Sequence, residues 1–158
     1  MITRQHVYQR LAQMVKAKFP HAQAILGVMT GGIIPAAFVA HTLKLPVGYI
    51  RQATKAHGLG RAIEVFMPTK TRVVLIEDTV STGRTLFQAY RLAIKSGLVV
   101  LGAVCIFSYD LRQCRTLLNE NTAPELHSLI TTADLIAFYV EQPVLQQRIA
   151  TFLQELNV

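Results

Sequence analysis

Apolar and polar positions along this chain fall into two alternating rhythms. Val7, Leu11, Met14 and Val15 recur at helical spacing among Arg4, Arg10, Lys16 and Lys18, which predicts a helix over residues 4–18. Ala24 to Val28 form a short apolar run of buried-strand type, and Thr30-Gly31-Gly32 a tight turn. Pro35 to Leu43 then read as a helix whose first turn tolerates Pro35, because a missing N–H costs little there. Val47 to Arg51 predict another strand, a polar stretch with glycines runs from Gln52 to Arg61, and Ile63 to Phe66 suggest a short strand. Val73 to Ile76 suit a strand buried on both faces, with the adjacent carboxylates Glu77 and Asp78 where such a strand would end. An amphipathic segment comes next with Leu86, Phe87, Tyr90, Ala93 and Ile94, closed by Gly97. Val99 to Phe107 predict a strand, Cys114, Leu117 and Leu118 mark a helix, and Leu126 to Ile130 form the last strand. Thr131 and Thr132 cap one terminal helix, and Pro143 opens another carrying Leu145, Ile149, Phe152, Leu153 and Leu156. Strands alternating with helices predict an α/β fold, an open, mostly parallel sheet flanked by helices, with ligands at the carboxyl ends of the strands.

At 158 residues the chain fits a single domain, residues 1–158, large enough to bury its core without disulfides. Cys105 and Cys114 show no metal-ligand spacing, which points to a reducing compartment, the cytoplasm. The start, Met1 to His6, lacks the apolar core of a signal peptide. Residues 19–43 carry no charged side chain, but Pro20, Pro35, the Gly31-Gly32 pair and two histidines argue against a membrane span. The net charge of +7 is uneven: residues 1–72 hold ten Lys/Arg against Glu64 alone, whereas residues 73–158 hold six against eight acids. Such asymmetry suits an anionic ligand or nucleic acid drawn to the first half, or simply basic helices that keep the protein soluble. Basic and aromatic residues are not interleaved as in RNA-binding proteins, so nucleic acid is not the expected partner.

The strongest chemical signal is the run from Val73 to Thr85. An apolar strand, an acidic pair, a turn rich in hydroxyls and a helix start together make a polyanion site with a diol or metal site beside it. Backbone N–H groups at the turn and helix N-terminus can hold a phosphate, with Ser81, Thr82 and Thr85 adding hydroxyl donors. Glu77 and Asp78 stand one step away, placed to accept hydrogen bonds from ribose hydroxyls or to help hold a hydrated Mg²⁺. Gly27 to Gly32 offer a second anion loop, since small residues let backbone N–H groups approach a phosphate; plain turn chemistry explains the same glycines. A third element is Tyr49 to Arg61, where Arg51, Lys55 and His57 lie on a stretch with Gly58 and Gly60. It reads either as a solvated basic loop or as a lid whose cations neutralise an anion.

The run Glu77-Asp78-Thr79-Val80-Ser81-Thr82-Gly83-Arg84-Thr85 closely resembles the phosphoribosyl-pyrophosphate (PRPP) motif of type I phosphoribosyltransferases. It is unlike a Walker A loop, because no Gly-Lys-Ser/Thr is present and the acidic pair precedes the glycine. Arg51, Lys55, His57 and Gly58 match the Arg-x-x-x-Lys-x-His-Gly of orotate phosphoribosyltransferases, with Gly60 and Ile63-Glu64 next along the chain. Ile106 to Leu111 is similar to the Ile-Phe-Thr-Tyr-x-Leu segment of Gram-positive members, and Leu126 to Ile136 to the family's Ser/Thr-Leu…Leu-Ile ending.

The resemblance implies Mg²⁺-dependent transfer of a 5-phosphoribosyl group from PRPP to a nucleobase, orotate before adenine or xanthine. It assigns residues 81–85 to the 5′-phosphate, Glu77 and Asp78 to the ribose hydroxyls and, indirectly, the metal. Thr30, Gly31, Gly32, Arg51 and Lys55 go to the pyrophosphate. Lys55, His57 and Asp78 become the catalytic candidates, with Lys55 reaching the neighbouring subunit of a homodimer. Tyr109 and Arg112 are the base-binding candidates. Family members begin with a hood segment over the base, and this chain starts beyond that point, so a reduced hood is expected. Gln52 replaces a lysine of some relatives, and Leu111 follows Asp110 where one branch has the arginine that reaches the orotate carboxylate, displaced here to Arg112. The alternative is a weakly active or inactive paralogue that senses PRPP or a nucleotide in a regulatory or nucleic-acid-binding role.

Overall fold

A computed structural model describes residues 3–51, 63–65, 67–123, 125–139 and 142–156. The elements run α1 (Arg4–Lys18), β1 (Ala24–Val28), α2 (Ile33–Leu43), β2 (Val47–Ile50), β3 (Arg72–Val80) and α3 (Arg84–Lys95). They continue with β4 (Val99–Ser108), α4 (Arg112–Glu120), β5 (Leu126–Thr131), α5 (Thr132–Phe138) and α6 (Pro143–Leu156). Five strands pair in the order β2-β1-β3-β4-β5, every pair parallel.

The apolar runs are continuous because both faces of the sheet are covered. Leu26, Val28, Val73, Leu75 and Cys105 pack with Leu86, Ala89 and Ala93 of α3 and Cys114 and Leu118 of α4. Ile25, Val74, Ile76 and Val104 pack with Leu11, Ala12 and Val15 of α1 and Ala36, Val39 and Ala40 of α2. Neighbours along β3 therefore divide between two cores, as the two-residue repeat of a strand requires. Burying each of the Val, Leu and Ile side chains contributes about 1.5–3 kcal/mol, so the central strands are the most firmly held part of the chain.

Two sequence expectations need correction. Strand β3 does not end before the acidic pair: it runs through Glu77 and Asp78 to Val80, because β4 stays paired with it as far as Val80–Ser108. Residues 63–65 are not a strand. Among the described residues there, only Ile63 makes a single antiparallel bridge, to Ile50 at the sheet edge, and Phe66 lies outside them.

The sheet order fixes where a ligand can sit. After β1 the chain crosses by α2 to the edge strand β2, whereas after β3 it crosses by α3, on the opposite face, to β4. The order reverses between β1 and β3, and the loops that leave these neighbouring strands open a crevice at their carboxyl ends.

Candidate active site

Residues 29–32 leave β1 and residues 81–83 leave β3, so the two suspected anion loops stand side by side at that reversal. Thr30 and Gly31 are exposed, while Gly32 is buried against the strands. The Met29–Thr30 peptide is cis. Gly32 N–H donates to Val28 O at 3.0 Å, and Met29 N–H donates to Ile50 O at 3.0 Å, tying this loop to the end of β2. Its backbone runs directly against Asp78: a Cβ on Gly31 would overlap the Asp78 carboxylate, with Oδ1 2.6 Å away. That contact joins the β1 loop to the acidic pair.

The two carboxylates have different surroundings. Asp78 is half-buried, and its Oδ1 accepts from Thr79 N–H at 2.7 Å. Glu77 is only 5% exposed and pairs across the sheet with Cys105. Its Oε1 accepts a 3.3 Å bond from Asp78 N–H, whereas Oε2 is buried without a partner among the described residues. Burial first, and the neighbouring Asp78 second, raise the Glu77 carboxyl to about 8, so it holds its proton at neutral pH. The same burial, with Glu77 beside it, pushes the Cys105 thiol up to about 12, which leaves it an inert core residue.

This burial carries a pH signature. A carboxyl that binds its proton more tightly when folded stabilises the protein fully below the ordinary value of 4.5 and loses that contribution as pH rises towards about 8. Glu77→Gln removes the ionising group and keeps the shape. We expect wild-type stability against urea to fall between pH 5 and pH 8.5 by an amount on the order of 2–4 kcal/mol. The variant should lose that slope and be the more stable protein at the alkaline end; parallel pH profiles for the two would contradict the assignment.

The residue 81–83 turn is shaped by Gly83, which caps α3 in the left-handed region at φ +76. Its O accepts from Phe87 N–H at 2.8 Å, the opening bond of the helix. Cys114 lies beneath it, 2.6 Å from where a Cβ would stand, so both backbone angle and space favour glycine. No acidic residue occupies the first turn of α3, and the helix dipole there is left to favour an anion. Ser81, Arg84 and Thr85 are exposed, Thr82 is half-buried, and Thr79 and Val80 form the end of β3.

Arg51 follows β2 at the far side of the crevice. Its Nη2 lies 3.7 Å from Glu64 Oε1, and its Nε is buried without a partner among the described residues. Lys55 and His57, the remaining candidates of the basic stretch, lie outside the described residues, as do Gln52, Gly58 and Gly60. Glu64 is a neighbour of Arg51 that sequence reading missed as a site residue; one acid among ten cations in residues 1–72 was its signal.

The two base-binding candidates are not brought together. Tyr109 follows β4, donates its N–H to Val80 O at 2.9 Å and accepts from Thr132 Oγ1 at 3.2 Å. Its ring packs edge-on to Phe107 and against Phe152. Arg112 opens α4 and lines a groove with Thr82 and Arg84. Among the described residues, no group of three or more His, Cys, Asp or Glu could cage a metal, and no helix is long and apolar enough to cross a membrane.

Residues 3–146 match the phosphoribosyl transferase domain family. An orotate phosphoribosyltransferase of Levilactobacillus brevis is 45% identical over 108 residues, which is 68% of this chain and 51% of that protein. One from Enterococcus faecalis is 36% identical over 155 residues, 96% of this chain and 72% of that protein. The crystal structure of orotate phosphoribosyltransferase from Aeropyrum pernix superposes with a TM-score of 0.69 at 22% identity, covering 84% of this chain and 73% of that one. This chain thus spans about half the length of the L. brevis relative. Its parallel sheet is the type I phosphoribosyltransferase fold. The chain belongs to the phosphoribosyl transferase domain family.

Proposed function

We propose that the protein transfers a 5-phosphoribosyl group from PRPP to a nucleobase nitrogen, orotate being the acceptor, and releases pyrophosphate. One observation carries the reading: the phosphate turn, the acidic pair and the Thr30–Gly32 loop converge at the β1/β3 reversal, with the Gly31 backbone against the Asp78 carboxylate. In this reading the residue 81–85 turn holds the 5′-phosphate and Glu77 and Asp78 take the ribose hydroxyls. Thr30, Gly31, Gly32, Arg51 and Lys55 hold the pyrophosphate, and His57 is the further catalytic candidate of the basic stretch. As the bond to pyrophosphate breaks, positive charge grows on the ribose and negative charge on the leaving group. Fixed cations and backbone donors favour that separated charge over the ground state, which is the source of acceleration. Asp78, the more accessible carboxylate, is the group placed to accept a proton from the base. The choice of orotate is supported by the names of the Gram-positive relatives.

Mg²⁺ fits this site as an ion carried largely by the substrate. It retains water and binds one or two carboxylates together with phosphates, which suits the half-buried Asp78, with the protonated Glu77 beside it to act through water, better than it would a closed protein cage. When bound, it supplies charge neutralisation of the diphosphate. The match of Arg51, Lys55, His57 and Gly58 to the family's basic loop supports a homodimer in which Lys55 serves the neighbouring site, and the free cysteines Cys105 and Cys114 support a cytoplasmic setting.

The test is pyrophosphate release from PRPP and Mg²⁺ across a panel of nucleobases. Turnover with orotate, exceeding that with adenine or xanthine, is the expected result. PRPP binding with no turnover on any base would favour the sensing role instead.

A further inference from the structure

Beside the phosphate turn, but outside the crevice, α3 and α4 enclose an open groove of about 500 Å³. We propose that this groove is a second anion site, for a phosphorylated metabolite of nucleotide size. It stands independently of the phosphoribosyl reading.

The volume lies in the range of small-ligand pockets. Arg84, the first residue of α3, and Arg112, the first residue of α4, line it together with the hydroxyls of Thr82 and Thr116. Both arginines are exposed, and among the described residues neither has an ion pair. Of the acids close by, Asp110 holds Arg115 through Oδ2 at 3.1 Å, and Glu120, at the other end of α4 from Arg112, forms no ion pair with either arginine among the described residues. This is not a generally basic surface, since residues 73–158 hold only six Lys/Arg against eight acids. Two like charges facing one space repel each other, and a polyanion relieves the repulsion while guanidinium forks match phosphate oxygens.

The groove also has polarity along its length. Gln113 is anchored by Nε2 donating to Leu156 O at 2.8 Å, Leu117 supplies an apolar patch, and Glu120 lies on the same α4 face at the end of the helix. A ligand with phosphates at the arginines and a group bearing N–H or O–H donors towards Glu120 fits this arrangement. A bare phosphate would use only half of it. Thr82 and Arg84 belong to both the groove and the residue 81–85 turn, so the two sites are in physical contact, and any coupling of affinities between them must be reciprocal.

The experiment is a calorimetric titration of the full chain with ATP as probe, in the presence of PRPP and Mg²⁺ at saturating concentration. One ATP per chain is expected. Thr116→Glu, which places a carboxylate in the groove at an exposed helical position, should weaken ATP at least tenfold and leave the PRPP titration unchanged. Arg112→Ala should weaken ATP in the same direction. Absence of ATP binding, displacement of ATP by excess PRPP, or binding that neither variant changes would overturn the proposal. If PRPP itself fails to bind, the function proposed above fails, yet the ATP titration and its response to Thr116→Glu still decide the groove.

Discussion

Replacing Gly32 by alanine should lower the thermal unfolding midpoint by roughly 6–12 °C, which corresponds to about 3 kcal/mol for a chain of this size. Gly32 adopts φ −71 and ψ −13, a conformation open to any residue, so the obstacle is space alone. A Cβ there would overlap the carbonyl of Ile76 and stand 2.7 Å from Val28 O and 2.8 Å from Val28 N. All three atoms are backbone of the central strands β1 and β3, whose side chains are locked into both cores. Neither strand can move aside without disturbing the sheet. Thermal melts of wild type and variant check the effect, and a shift below about 2 °C would show that the loop can be lifted away cheaply.

The neighbouring substitution should act on chemistry and spare the fold. Gly31 is exposed, and the atoms that an added Cβ would strike belong to the Asp78 carboxylate rather than to backbone. That short side chain is fixed by the Thr79 N–H bond at 2.7 Å, so Gly31→Ala must turn it out of its present position. Displacement of a reacting group by about 1 Å is worth on the order of a hundredfold in rate. We therefore expect kcat/KM for PRPP to fall about 100-fold, with the melting temperature held to within about 2 °C. Because the loss runs through Asp78, combining it with Asp78→Asn should add little, the non-additivity expected of groups in contact. Additive losses in that double-mutant cycle would separate the glycine from the carboxylate.

These two glycines also show where sequence reading stops. The Thr-Gly-Gly turn is visible as a turn, yet nothing near residue 31 announces that its backbone lies on Asp78. That contact exists because β1 and β3 are neighbours in a sheet whose order is 2-1-3-4-5. The elements themselves are legible where the physics is local: α1 and β1 have the bounds expected from their apolar spacing, and Thr131 caps α5 by accepting from Asp134 N–H at 3.3 Å. The end of β3 is not, because adjacent carboxylates usually mark a surface. Here pairing with β4 holds them in the strand and buries Glu77. Ile63 to Phe66 have the composition of a strand, but among the described residues there only Ile63 forms a bridge, to the short edge strand β2. For the groove, the spacing of Arg112, Thr116 and Glu120 by four residues places them on one face of a helix. Only the packing of α4 beside α3 brings that face to Arg84.

The assignment of PRPP to the β1/β3 reversal is decided by a crystal structure of the protein grown with PRPP and Mg²⁺. We expect the 5′-phosphate on the residue 81–85 turn, the ribose hydroxyls at Glu77 and Asp78, and the pyrophosphate over Thr30 to Gly32 beside Arg51. PRPP bound with its 5′-phosphate away from residues 81–85, or its ribose away from the acidic pair, would contradict it.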